Sequence, residues 1–381
     1  FSSSAKWGFD KESGKWEFTT ENPDPMNRIR TWMLIHTDDC DAYGQDMSVL
    51  HEINDIMNNK WATELVDPDF VLGVKRKTIV NPETQEWTRE LTMTSFVSDL
   101  YDSFEHQIHD IIGRAKCKTP FPDGLILTKA IDPQEGEVKK NIDRGYQRLV
   151  GSLLWVVRHI YPSCSYGCSQ LCKLMSSPTD LSWKCALQML VYIHEHRHEG
   201  ITFRSTDSQP IAFVDASNKD DPVDGRTQYG YSLHWGGPLV VKSSKLTHVG
   251  INSTYNEYMA LHYAIKQIVW MRQLMAEIGL VEFITHPTLV WADNKQANKL
   301  CTEDLVTSGN MYFRTGFHYN KEACSDGYVT IKFIASENNI ADTTTKGLAT
   351  TKFRTFDELI TGSIPIPDEF TMALIWDARS R

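Results

Sequence analysis

The chain lacks the features that would take it into or across a membrane. Its 381 residues contain no apolar run near the roughly 20 residues that a spanning helix requires. The first residues, F-S-S-S-A-K-W-G-F-D, have no apolar signal-peptide segment. An initiator methionine is also missing, so we expect a fragment or a processed product. These absences predict that the chain has no membrane partner.

An excess of positive charge is also missing. The chain has 39 Lys and Arg against 49 Asp and Glu, a net charge of -10. Phosphate backbones bind cationic surfaces, so this total taken alone argues against nucleic acid. However, acids gathered around cations add to the negative total, and local basic runs such as K-R-K at residues 75–77 can form a groove. The total charge therefore does not exclude a nucleic-acid partner.

Cysteine is sparse, with eight residues and no secretory context, which favours a reducing compartment. Cys164, Cys168 and Cys172 recur every four residues and would share one helix face. Packing as small apolar side chains is the favoured interpretation, because free cysteine behaves as a small hydrophobe. A metal or redox site is the alternative.

Composition predicts an α+β multidomain chain with limits near residues 115, 205 and 350. Residues 1–115 mix strands with helices, and Pro, Gly and charge make residues 116–140 a linker. Three helices are predicted at about 143–160, 164–176 and 180–198, the last capped by Thr179 or Asp180. Residues 351–381 form a tail without a predicted role.

Residues 206–350 predict a mixed sheet flanked by helices. Three strands with Gly-rich connections come first and suit antiparallel pairing: I-A-F-V-D, Q-Y-G-Y-S-L-H-W and P-L-V-V-K-S-S. A helix over 254–278 follows, burying Leu261, Ile265, Ile268, Met275 and Ile278. Strands T-L-V-W-A-D and V-T-I-K-F-I-A and a last helix near 339–348 complete an alternating pattern.

Four carboxylates in this region are the strongest functional signal: Asp215, Glu257, Asp293 and Asp342. Each has a local explanation, since the aspartates suit a strand end or a helix start and Thr254 with Glu257 fits a capping box. Glu257, however, lies on the core-facing stripe of its helix. Acids that converge must be protonated or hold cations, and hard oxygen ligands suit magnesium. Together the four acids indicate phosphodiester chemistry.

The stretch from Ile211 to Leu348 resembles the ribonuclease H domain of copia-type LTR retrotransposon Pol polyproteins. The matching pieces are F-V-D-A-S, V-V-K-S-S-K, S-T-Y-N-E-Y-M-A-L, W-A-D-N-K-Q-A and N-N-I-A-D-T-T-T-K-G-L. The resemblance implies a ribonuclease H-like mixed five-stranded sheet over 206–350. It also implies that the four acids hold two magnesium ions, with manganese as the alternative, and that the RNA strand of an RNA–DNA hybrid is hydrolysed.

Further residues near the acids are candidates for substrate contact or proton transfer. Ser217, Asn294, Gln296 and Lys346 could bind nucleic acid. His318, before the last strand, could shuttle protons, although an exposed helix histidine is the commoner case.

The upstream part resembles the rest of the same polyprotein. Y-Q-R-L-V-G-S-L-L-W and S-S-P-T-D-L-S-W-K resemble its thumb and connection, and residues 1–115 resemble the C-terminal part of a reverse transcriptase palm. In place of the family's Y-V-D-D stands His36-Thr37-Asp38-Asp39, whose two acids would hold polymerase ions. The first palm carboxylate and the fingers are absent, so we expect no polymerisation by this chain alone.

Two other classes of protein stay open. An inactive retroelement remnant could bind nucleic acid or be structural. A zinc protease could use the H-E-x-x-H motif of His194, Glu195 and His198, although Gly200 ends that helix at once. The favoured resemblance further implies the remainder of Pol as a partner. It also implies a cytoplasmic location in the element's virus-like particle, with the nucleus as the alternative.

Overall fold

A computed structural model describes residues 6–10, 15–19, 31–36, 39–44, 46–61, 69–114, 116–128, 135–217, 221–303 and 314–371. The chain forms two compact units, Phe1–Pro68 and Asp69–Arg381. Within the described residues, no helix combines the length and apolarity needed to cross a membrane.

The described residues of the first unit form two antiparallel strand pairs and one helix. Its elements are β1 (Lys6–Asp10), β2 (Lys15–Thr19), β3 (Thr31–His36), β4 (Asp39–Gly44) and α1 (Met47–Trp61). β3 pairs antiparallel with β4, and His36 lies opposite Asp39. Asp38 lies outside the described residues, and the side chain of Asp39 is not described. The palm and its ion site therefore stay predictions.

The second unit begins with a four-stranded antiparallel sheet and a group of helices. The strands are β5 (Phe70–Val71), β6 (Val74–Val80), β7 (Trp87–Thr92) and β8 (Ile201–Arg204). The helices are α2 (Thr94–Asp102), α3 (Glu105–Ile111), α4 (Glu135–Asp143), α5 (Tyr146–His159), α6 (Ser165–Cys172) and α7 (Asp180–Glu195). Thr179 caps α7, because its hydroxyl accepts a hydrogen bond from the Ser182 amide. β7 pairs with β8, so residues on both sides of residue 115 share one sheet.

A mixed sheet of five strands forms the second half of this unit. Its elements are β9 (Ile211–Ala216), β10 (Gln228–His234), β11 (Pro238–Lys245), α8 (Ser253–Glu277), β12 (Thr288–Ala292), α9 (Lys295–Thr302), α10 (Arg314–Ser325) and β13 (Val329–Phe333). The strand order is β11-β10-β9-β12-β13. β10 is antiparallel to β9 and β11, whereas β12 is parallel to β9 and β13. The predicted mixed five-stranded sheet is confirmed.

Each face of this sheet has its own apolar core. Ala212 and Val214 of β9 pack in one cluster with the buried side of α8. Phe213, which points to the other face, packs in a second cluster with α5, α6 and α7. The two-residue period of the strand thus assigns alternate side chains to opposite layers. The predicted buried stripe of α8 is confirmed except at Ile278, which ends the helix and is 37% exposed.

The helix predicted over 339–348 is absent. Ile340–Thr344 form a 3-10 turn, and the last helices are α11 (Thr350–Ile360) and α12 (Asp368–Thr371). Three consecutive β-branched threonines and Gly347 disfavour continuation as an α-helix. α11 lies in the predicted tail, where it buries Phe353, Phe356 and Ile360.

Candidate metal centre and catalytic site

Two parallel strands bring Asp215 and Asp293 to the same edge of the sheet. Val214 of β9 lies opposite Ala292 of β12, and each of these residues is followed directly by one of the two acids. The carboxyl ends of parallel neighbours therefore place both carboxylates side by side. Asp293 is not the N-cap of α9, because that position belongs to Asn294, whose side chain accepts from two backbone amides.

The first turn of α8 supplies the third acid, Glu257. The cap of this helix is Asn252, whose side chain accepts from the Tyr255 amide at 2.8 Å. The capping box of Thr254 and Glu257 is therefore not used. Glu257 is instead 4% exposed, and the Ala216 amide donates to its carboxylate. The side chain thus faces the end of β9, where Asp215 lies.

One carboxylate oxygen from each of Asp215, Glu257 and Asp293 lies within 4.8 Å of the other two. Among the described residues, no other group of three or more His, Cys, Asp or Glu brings its potential ligand atoms so close. Burial, followed by the nearby Asp342 charge, raises the pKa of Asp215 to about 8. Burial and the charges of Asp215 and Asp293 also raise the pKa of Glu257 well above its usual range. The ionised carboxylates therefore repel one another, and a bound cation would reduce this repulsion.

The three acids fit a hard divalent cation. Carboxylate oxygens are the ligands that magnesium prefers. Glu257 Oε2 is buried and has no hydrogen-bond partner, which is costly for a carboxylate unless a cation or a proton compensates. The donor set and this orphaned oxygen both match a magnesium site.

Asp342 lies beside this group but has different partners. It sits in the 3-10 turn after Asn339, whose amide donates to the Val214 carbonyl at 2.9 Å and so fixes the turn to β9. The Asp342 carboxylate is fully buried. Lys352 Nζ lies 2.5 Å from Oδ2, and Lys346 Nζ lies 2.6 Å from Oδ1 in an ion pair without hydrogen-bond geometry. Asp342 is close enough to raise the pKa of Asp215, yet its own carboxylate forms ion pairs with two ammonium groups.

Two hydroxyl groups hold the other aspartates, and the sequence patterns gave no sign of either. Thr345 Oγ1 donates to Asp215 Oδ2, and Ser336 Oγ donates to Asp293 Oδ2 at 2.5 Å. Both follow β13 in the chain, so the segment after the last strand orients acids from β9 and β12. The parallel pairing of β13 with β12 brings the segment after β13 to the edge of the sheet where these acids lie.

The acids open onto a cavity of about 420 Å³. Its lining includes Asp123, Ile126 and Tyr166, which precede the five-stranded sheet in sequence. The segment that carries Asp123 is fixed on two sides. Tyr166 Oη donates to the Leu125 carbonyl at 2.9 Å, and a Cβ on Gly347 would lie 2.2 Å from the Pro122 carbonyl oxygen. The predicted linker therefore forms one wall of the site, a role that its Pro and Gly content did not indicate.

The predicted nucleic-acid contacts divide into two groups. Ser217, Asn294 and Lys346 line the cavity, whereas Gln296 is exposed on α9 and is not among the lining residues. Burial lowers the pKa of Lys346, but the charges of Asp215 and Asp342 outweigh it and raise the pKa overall, so the ammonium form is favoured. The proposed shuttle His318 is exposed on α10, and no described residue of that helix lines the cavity.

The zinc-protease motif is not assembled. α7 ends at Glu195, so His194 and His198 do not share a helix face one turn apart. His194 stacks instead on Tyr101, with ring centroids 3.8 Å apart. The described His, Cys, Asp and Glu side chains here form no metal-like group of three, and the zinc hypothesis is wrong for this structure.

The three spaced cysteines are free thiols in and beside α6. Cys164 precedes the helix, and burial raises its pKa well above the usual range. Cys164 and Cys168 are both 1% exposed. Their burial fits the packing interpretation.

The fold and the site define an α+β protein that has a mixed five-stranded sheet and an acidic centre at the carboxyl edge of that sheet. No family model matches the chain. Similar curated proteins are retrovirus-related Pol polyproteins of plant transposons. That of RE2 from Arabidopsis thaliana is 24% identical, and the match covers 88% of this chain and 22% of the relative. That of RE1 from the same plant is 23% identical, and the match covers 85% of this chain and 21% of the relative. That of TNT 1-94 from Nicotiana tabacum is 22% identical over 86% of this chain and 24% of its own length.

The curated homologues of this chain are thus copia-type retrovirus-related Pol polyproteins, which confirms the resemblance. The chain spans less than a quarter of their length. Solved structures similar to it include an N-terminal RNase H domain from Mycobacterium tuberculosis, 10% identical, covering 40% of this chain and 97% of that one, with a TM-score of 0.28. RNase H1 of Halobacterium salinarum is 14% identical, covering 36% of this chain and 94% of its own, with a TM-score of 0.26.

Proposed function

We propose that this chain is a ribonuclease H that hydrolyses the RNA strand of RNA–DNA hybrids in a magnesium-dependent reaction. The observation that carries the proposal is the convergence of Asp215, Glu257 and Asp293, whose carboxylate oxygens lie within 4.8 Å of one another. The homology to Pol polyproteins supports the choice of substrate class.

The protein's own groups would bind and orient the cations. Asp215 lies near the end of the central strand, and its charge interacts with those of Asp342, Asp293 and Glu257. It is therefore the best candidate to ligate two ions, with Glu257 and Asp293 completing one site and Asp342 the other. Divalent cations held there, magnesium or manganese, would make the attacking water more acidic and stabilise the leaving 3′ oxygen. Ser336 and Thr345 would keep Asp293 and Asp215 in a fixed orientation through their hydroxyl groups.

Substrate selection would follow from the groups that line the cavity beside the acids. Ser217 and the amide group of Asn294 line it and can hydrogen-bond the 2′-hydroxyl groups that distinguish RNA from DNA. The ammonium group of Lys346 would lie near a phosphate of the same strand. Gln296 and His318 lie outside the cavity lining, so a role for either would require contact with a more distant part of the hybrid or of the chain.

The test is cleavage of an end-labelled RNA–DNA hybrid by the purified chain, with and without magnesium. We expect Asp293→Asn to reduce magnesium-dependent cleavage by at least about 100-fold, because it removes one charged ligand while keeping the side-chain shape. Asp326→Asn is the matched control, since Asp326 is exposed and follows α10 away from the cavity. Far-UV circular dichroism would show that both variants fold.

Unchanged cleavage by Asp293→Asn would refute the site. A wild-type chain that binds the hybrid but never cleaves it would favour the inactive remnant instead. Cleavage of DNA duplexes at the same rate as hybrids would leave the metal site in place and refute the substrate class.

In the cell, we propose that the remainder of Pol is the partner of this chain and that the virus-like particle in the cytoplasm is its location, with the nucleus as the alternative. These two points rest on the homology alone. Cofractionation of the chain with such particles would test them.

A further inference from the structure

Asp342 differs from the other three acids in how its charge is balanced. Its carboxylate is fully buried, and each oxygen faces a different ammonium group, Lys346 at 2.6 Å and Lys352 at 2.5 Å. Glu257 has a different setting, because one of its buried oxygens has no hydrogen-bond partner and the nearby charge of Lys346 acts on it only at longer range. A cation that binds at Asp342 must compete with two ammonium groups that are paired directly with its carboxylate.

Lys352 is held in place by three separate contacts. Its ammonium group donates to Asp342 Oδ2 at 2.5 Å and to the Ser336 carbonyl at 3.2 Å. It also lies 5.1 Å from the centroid of the Phe356 ring on its own helix, α11. The Ser336 side chain in turn donates to Asp293. Lys352 therefore connects the segment that orients Asp293 with the fourth acid.

We propose that Lys352 is a positioning residue that makes the ion at Asp342 the weaker of two: its ammonium group, together with that of Lys346, occupies the carboxylate, and the second cation binds only by displacing this charge. The inference rests on the proposed function, because it concerns the same metal centre. It assigns a role to a residue of the tail, which the sequence left without one.

Removing one competing ammonium group should strengthen the second binding event. A charge-assisted hydrogen bond with one partly exposed partner corresponds to a change in affinity of about tenfold. The side chain of Lys352 is 37% exposed, so solvent reduces the effect below that of a fully buried pair. The first binding event, at Asp215, Glu257 and Asp293, should change much less, because Lys352 contacts none of their carboxylates in the described hydrogen bonds.

The experiment measures manganese binding to the full chain, with free Mn²⁺ followed by electron paramagnetic resonance. For wild type we expect two Mn²⁺ binding events, one tighter and one weaker. Lys352→Met should tighten the weaker event by about tenfold and lower the manganese concentration for half-maximal hybrid cleavage. Lys352→Arg keeps the charge and should bind Mn²⁺ nearly as wild type does. Lys184→Met, on the exposed side of α7, is the control for loss of a lysine.

A weaker event that is unchanged or weakened in Lys352→Met would overturn the proposal, as would an equal shift in Lys352→Arg, because charge would then not be the cause. Should Lys352→Met fail to fold, Lys352→Gln is the second neutral variant and the same outcomes apply. The two proposals fail differently. No Mn²⁺ binding and no cleavage by wild type would refute the proposed function, whereas binding and cleavage without a Lys352 effect would refute only this inference.

Discussion

Replacing Asp215 by asparagine should stabilise the metal-free protein, and the gain should grow with pH. Asp215 is 2% exposed, and burial with the neighbouring Asp342 charge raises its pKa from 3.8 to about 8. Asparagine resembles the protonated acid in shape and never ionises, so it removes the repulsion without leaving a cavity. Under the proposed function, the same substitution should abolish cleavage, because asparagine would not ligate the cations as a carboxylate does.

The magnitude follows from proton linkage. For an acid whose pKa is raised by folding, the stabilisation is fully present below the unfolded pKa of 3.8 and is lost as pH rises through the folded pKa of about 8. Between pH 5 and pH 7 the folded protein keeps the proton and the unfolded chain does not. Each pH unit then costs about 1.4 kcal/mol. The free energy of unfolding of wild type should fall by about 3 kcal/mol relative to Asp215→Asn over this range.

The assay is urea or thermal unfolding of both proteins in EDTA at pH 5, 6 and 7. His234 works in the opposite direction, because burial lowers its pKa to about 3 and stability is lost as pH falls below its unfolded value of 6.5. Both proteins carry His234, so the difference between them cancels this effect. Magnesium should stabilise wild type more at pH 7 than at pH 5, and Asp215→Asn much less. A difference between the two proteins that stays constant with pH would refute the argument.

Two further substitutions test the framework of the site. Ser336→Ala should raise the magnesium concentration for half-maximal cleavage several-fold, because Asp293 loses its 2.5 Å hydrogen bond. An unchanged magnesium titration would show that the hydroxyl does not orient the acid. Gly230→Ala should destabilise the protein by about 2 kcal/mol or more, because its Cβ would lie 1.9 Å from Thr344 Oγ1. Gly151→Ala in α5 is the control, since nothing lies within 4 Å of the added Cβ. Alanine there should be neutral or stabilising by about 0.5–1 kcal/mol. Equal unfolding midpoints for the two variants would contradict the packing argument.

Much of the site was predictable because it depends on local periodicity. In the sequence, apolar runs end directly before Asp215 and Asp293, and two parallel strands with such ends place the following residues at one edge of the sheet. The position of Glu257 on the buried stripe of α8 was likewise visible in the spacing to Leu261. The sequence also showed that Glu257 and Asp293 could instead cap helices, but it could not decide between capping and a shared site. The side chains of Asn252 and Asn294 take the cap positions and leave both acids free for the site.

The contacts that join distant segments were not predictable. The residues that orient the acids, Ser336 and Thr345, lie 43 and 130 positions away from their partners. Asp123, from the predicted linker, lines the same cavity through contacts with α6 and Gly347. The helix predicted over 339–348 was wrong because helix propensity was judged without the docking of Asn339 on β9, which holds a tighter turn there.

The sequence by itself determined a mixed sheet in residues 206–350 and placed four acids at strand ends and helix starts, since both follow from local residue patterns. The resemblance added the expectation of five strands and of one shared site for the four acids. The tertiary structure alone decided how the charge of each acid is balanced. Asp215, Glu257 and Asp293 face one another across 4.8 Å or less, whereas Asp342 faces Lys346 and Lys352. The physical reason is that burial and pairing are properties of the space around a carboxylate. That space is filled by α8 and by the segment from the end of β13 through α11, which lies far from α8 in the chain.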